Sequence, residues 1–141
     1  MDTDWATKLL KASKRSNEIE QEQFLTLVNQ VADKCTLDTA RTLMKTFSDK
    51  PDYGTQETVI RVLATSDNRV VTKVILEELP RLMQEAPEWA KSLVGVEVDT
   101  RPKLLQMVVS KMPEEVKKAL RTLLNDEDFQ DFYPNSRNIT V

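Results

Sequence analysis

The sequence predicts an all-α fold of seven or eight helices in antiparallel hairpins, arranged as a solenoid-like or irregular bundle. Three observations predict it. Apolar residues recur three or four positions apart along most of the chain, the period of a helix with one buried face. The 141 residues include only two glycines, Gly54 and Gly95, whereas a β-rich chain of this size needs glycine at many turns. Prolines 87 and 113 are each followed by glutamate and a new apolar stripe, as at the first turn of a helix.

The elements follow in order. A first helix is expected from about Asp4 to Lys14, with Trp5, Leu9 and Ala12 along one face. Arg15-Ser16-Asn17 turns the chain, and Asn17 caps a second helix carrying Phe24, Leu27, Val28 and Val31. Thr36 caps a third, with Leu37, Ala40, Leu43, Met44 and Phe47 inward. Ser48 to Gly54 reads as a loop. Thr55 is the expected cap of a fourth helix bearing Val59, Ile60, Val62 and Leu63. After Ser66-Asp67-Asn68 a fifth carries Val70, Val71, Val74, Ile75, Leu79, Leu82 and Met83. Its β-branched front half competes as a strand, but helical spacing continues past Pro80, where a kink or short break is expected.

Pro87 opens a sixth helix with Trp89, Ala90, Leu93 and Val94 inward, ended by Gly95 or by Glu97-Val98-Asp99. Thr100 is the expected cap of a seventh, with Leu104, Leu105, Val108 and Met112 inward. Pro113 opens an eighth holding Val116, Ala119, Leu120, Leu123 and Leu124. Residues 1–125 are read as a single helical domain and 126–141 as an acidic-aromatic, partly ordered C-terminal segment. Leu82–Glu88 and Val108–Glu114 share one pattern at two junctions; it fits stacked helical hairpins as well as the plain habit of starting helices with Pro-Glu.

Composition narrows the function classes. Twenty basic and 23 acidic residues give a net charge of −3, which argues against a nucleic-acid partner needing a basic stripe. Arg69, Lys73, Arg81, Lys91, Arg101 and Lys103 are interleaved with acids. There is no histidine, which removes the commonest general base and metal ligand. Asp126-Glu127-Asp128 lacks the glycine and alternating ligands of a calcium loop, and both glycines are isolated, so no metal and no cofactor are expected. The single cysteine, Cys35, reads as a buried small hydrophobe in a reducing compartment, against a reactive thiol. Without an apolar signal core or a membrane-length apolar run, no membrane partner is expected and the chain should be cytoplasmic.

The run Leu79-Pro80-Arg81-Leu82, followed by Glu85-Ala86-Pro87-Glu88-Trp89-Ala90, resembles the immunity protein 30 type of bacterial polymorphic-toxin and contact-dependent growth-inhibition systems. Met112-Pro113-Glu114-Glu115 leading into Ala119–Leu124 extends the likeness. It covers about half the chain, from roughly Gln56 to Leu124. The resemblance implies a cytoplasmic immunity protein, not an enzyme, that neutralises a cognate toxin's C-terminal domain, often a basic nuclease and especially a ribonuclease. It also implies that Pro80, Pro87 and Trp89 shape the scaffold. No binding residue is carried over, because the contact surface in such families varies with the toxin.

An inhibitor of a nuclease faces a surface made positive to hold phosphate, so carboxylates around an aromatic anchor are the complementary chemistry. Asp126, Glu127, Asp128, Phe129, Asp131, Phe132 and Tyr133 place four acids and three aromatics in eight residues. The competing reading is a last amphipathic turn, with Phe129 and Phe132 packed on the eighth helix and the acids solvated. Asp49, Asp52 and Tyr53 form a second candidate on the long loop, against a plain turn. Glu77, Glu78 and Glu85 read as a solvated face. Two other functions remain open: a helical-repeat adaptor or regulatory domain, and a carboxylate-based enzyme, which would need two facing acids in a deep pocket.

Overall fold

The computed structural model describes residues 3–50 and 54–141, and it is all-helical. The helices are α1 (Thr3–Ala12), α2 (Glu18–Asn29), α3 (Leu37–Met44), α4 (Thr55–Leu63), α5 (Asn68–Glu85), α6 (Pro87–Thr100), α7 (Pro102–Val109), α8 (Glu114–Leu124) and α9 (Glu127–Phe132), then a 3-10 turn over Pro134–Asn138. Contacts divide the chain into two compact units, 1–71 and 72–141, with the boundary inside α5. Among the described residues no helix is long and apolar enough to cross a membrane.

In the first unit α1 packs on α2 and α3, and α4 on α2 and α3. Trp5, Leu9, Phe24, Val28, Leu43, Met44 and Phe47 are buried. The Trp5 indole N–H donates to the Leu27 carbonyl at 2.8 Å, so the ring is buried without stranding its polar atom. Asn17 and Thr36 cap α2 and α3 as predicted, accepting from the Glu20 and Thr39 backbone N–H groups. Arg15, in the left-handed region at φ 49°, turns its guanidinium over the Phe24 ring, 4.6 Å from the centroid. It donates to Thr55 Oγ1 and to the Thr46 carbonyl, both at 3.2 Å. The cap of α4 is therefore Gly54, left-handed at φ 87°, and not Thr55; Thr55 is the helix's buried first residue and its hydroxyl serves Arg15. Ser66 Oγ donates to the Cys35 carbonyl at 2.7 Å. The Cys35 thiol is half-buried, and desolvation pushes its pKa above the ordinary value.

In the second unit α6 packs on α7 and the 3-10 turn, and α9 on α8 and that same turn. Val74, Leu76, Leu79, Leu82, Ala90, Leu93, Val94, Val98, Leu105, Val109, Leu120 and Leu123 are buried. The β-branched run Val70–Ile75 is helical, and α5 runs through Pro80 without the short break that the sequence allows, although proline leaves the Leu76 carbonyl without its helical donor. Three expectations are corrected. First, α6 does not end at Gly95 or Glu97 but runs to Thr100. Second, Arg101 rather than Thr100 is the N-cap of α7, since the Thr100 hydroxyl donates back to the Val96 carbonyl at 2.6 Å. Third, Trp89 is half-buried and not a core residue; Trp5 is the buried tryptophan, at 7% exposure.

The two residues expected to end α6 are instead buried inside it. Gly95 is a buried residue within α6, and a Cβ there would overlap the ring of Tyr133. Two residues on, Glu97 is fully buried. Its carboxylate accepts one hydrogen bond from the Thr72 hydroxyl on α5 and another from Arg101 Nη2 one turn later. A buried charge is tolerated only with such partners.

Candidate functional site

The acidic-aromatic segment forms a defined corner of the second unit. Asp126 adopts an extended backbone and its carboxylate accepts from the Phe129 backbone N–H at 3.0 Å, starting α9. Phe129 is 1% exposed and anchors the helix, while Gln130 Nε2 donates to the Leu124 carbonyl at 2.9 Å. Tyr133 lies on α6 at Gly95, with its ring centroid 5.0 Å from that of Phe129 and 5.8 Å from that of Phe132. The three rings thus form a ladder from the interior outward, at centroid separations within the range of favourable aromatic pairs. Its outermost member, Phe132, is 81% exposed.

Carboxylates surround that ring. Glu127, Asp128 and Asp131 are all exposed on α9. Asp131 lies 3.9 Å from Arg137, a solvent-facing pair that leaves its charge available. Beside Phe132 a groove of about 340 Å³ opens between α6 and α9. Glu88, Lys91 and Ser92 of α6 form one wall; Asp128, Phe132 and Tyr133 form the other, with Phe129 beneath.

Compared with protein-family models, curated proteins and solved structures, the chain finds no match.

The structure brings together only part of what the sequence singled out. Of the first cluster, Glu127, Asp128, Asp131 and Phe132 are presented to solvent, and Tyr133 is half-buried behind them. Asp126 is spent on the helix cap and Phe129 on the interior. The competing reading of this segment holds for Phe129 and not for Phe132. In the second cluster Asp49 is exposed, and Asp52 and Tyr53 lie outside the described residues. Glu78 and Glu85 both pair with Arg81, at 2.6 and 3.9 Å. The basic strip dissolves similarly: Arg81, Lys91 and Arg101 each have an acidic partner within two helical turns.

A larger groove of about 570 Å³ lies between α1 and α2. Lys8 and Lys11 face Glu20 and Glu22 across it, so it presents no field of one sign. Among the described residues no three His, Cys, Asp or Glu side chains cluster as metal ligands. Sequence reasoning missed Glu97 and Arg15. Their only signals were a charge inside an apolar helical stripe and a long cation beside an aromatic-rich helix, both common on solvated surfaces.

Proposed function

We propose that this protein is an immunity protein: it binds a cognate toxin domain, a basic nuclease such as a ribonuclease, and neutralises it in the cytoplasm of the producing bacterium. The reading takes its partner class from the resemblance carried by Leu79–Leu82, Glu85–Ala90 and Met112–Leu124. The observation that supports it most is the exposed Phe132 ring, 81% open to solvent on a capped helix and flanked by Glu127, Asp128 and Asp131. An apolar anchor beside carboxylates is the pattern of a binding hot spot for a basic partner: the ring supplies buried area and the charges speed encounter. Asp126 caps α9 and Phe129 anchors it in the interior, so the helix that carries the ring is already formed before binding.

The experiment is to identify the reading frame adjacent to this gene, then to test co-purification and calorimetry with the C-terminal domain that it encodes. A stable complex is expected, together with loss of nuclease activity. Phe132→Ala should weaken it at least tenfold while leaving the thermal midpoint unchanged. Failure to form a complex, or full nuclease activity within one, would overturn the proposal.

A further inference from the structure

We infer that the groove between α6 and α9 is a seat for an arginine side chain of the partner. This deepens, and rests on, the toxin-binding reading. Three features select a guanidinium. The first is the exposed face of Phe132, backed by Tyr133 at 5.8 Å: an aromatic face attracts a cation, and a planar delocalised one stacks on it better than an ammonium. The second is the position of Asp128 on the same wall, where a carboxylate can take the guanidinium fork through two parallel hydrogen bonds. The third is size. A groove of about 340 Å³ admits one long side chain and is far too small for a helix or a strand.

Lys91 makes the inference sharply testable. It lines the opposite wall with Glu88, its Nζ 3.8 Å from Glu88 Oε1. That exposed pairing leaves a positive charge at the rim. The seat is therefore held below its full attraction for a cation, and removing Lys91 should raise it. An anionic occupant would show the opposite sign.

The test titrates the intact protein with a capped tetra-arginine peptide and, separately, a capped tetra-lysine peptide of equal charge, following the ring signals of Phe132 and Tyr133 by NMR. Expected are saturable shifts with the arginine peptide and binding of the lysine peptide about 2- to 5-fold weaker. Phe132→Ala and Asp128→Asn should each weaken arginine-peptide binding by about 2- to 5-fold, the size of an exposed cation–π or ion-pair contact. Lys91→Ala should tighten it, a gain that a damaged fold would not produce. Equal binding of the two peptides, or weaker binding in Lys91→Ala, would overturn the inference. The toxin reading is separated by its own assay. A toxin complex that persists unweakened in Asp128→Asn discards the seat and keeps neutralisation. A seat that behaves as described, with no toxin complex, keeps the seat and discards neutralisation.

Discussion

The ring of Tyr133 occupies the space that any side chain at Gly95 would need. Gly95 is helical and its φ is not positive, so the glycine is required for closeness of approach rather than backbone freedom. That approach fixes the aromatic ladder on α6 and turns Phe132 outward.

Gly95→Ala should therefore be destabilising although alanine is the better helix former. Forcing the ring away costs about 1–3 kcal/mol as overpacking, against about 1 kcal/mol gained in helix propensity. A net loss of up to about 2 kcal/mol is expected from urea unfolding. In the Tyr133→Ala background the same change should become neutral or stabilising; an equal loss in both backgrounds would exclude this contact as the cause.

The two tryptophans should behave differently. Trp5→Ala removes a ring that is 7% exposed and hydrogen-bonded to Leu27, and about 3–5 kcal/mol is expected. Trp89→Ala, at a half-buried position, should lose clearly less. Denaturant midpoints of the two variants decide it, and the reverse order would be incompatible with the packing described.

Glu97→Ala leaves Arg101 and Thr72 without their shared acceptor, and about 3–5 kcal/mol of stability should go with it. Replacing Glu97 and Arg101 together by methionine should lose less than the single alanine change. This follows because breaking a buried pair strands a charge while deleting both members does not. Thermal unfolding of the two variants is the check.

The acids of the C-terminal segment should separate into two kinds. Lysine at 127, 128 and 131 together should slow toxin association in low salt with little change in stability. Asp126→Ala should instead cost about 1 kcal/mol, since its carboxylate caps α9. Stopped-flow association rates and unfolding curves separate the two effects.

Glu114 offers a titration. Arg121 Nη2 donates to Glu114 Oε1 at 2.6 Å, and this hydrogen bond, with the charge behind it, holds the carboxyl below its ordinary 4.5. A depressed folded value means stability that is present above the unfolded value and is lost as pH falls through the folded one. The NMR midpoint of Glu114 should lie below 4.5 and return toward it in Arg121→Gln. Added salt should act the same way, because both side chains are largely in water.

Most of the helical framework was readable because it is local. Period, caps and junction prolines act within a few residues, so Asn17, Thr36, Pro87 and Pro113 mark the starts of their helices. Thr100 was missed for a local reason, its hydroxyl bonding back to Val96, but other misses involve distant residues. Thr55 is not a cap because Arg15, 40 positions earlier, uses its hydroxyl. Gly95 does not end α6, since its φ is not positive; its missing side chain instead makes room for Tyr133. Glu97 looks like a surface acid until Thr72 is brought against it. In the candidate site the residue types were apparent, but which aromatic faces inward was not. Phe129 and Phe132 lie three apart in a six-residue helix, and periodicity places both on the same side.

One consequence concerns measurement. Cys35 is the chain's sole thiol, and its raised pKa and partial cover mean that it is mostly protonated and slow toward alkylating reagents near neutral pH. Its labelling rate should rise when the contacts beside Ser66 in the first unit loosen, far along the sequence from Phe132. A single maleimide time course thus supplies a built-in stopwatch for local opening, with no engineered reporter.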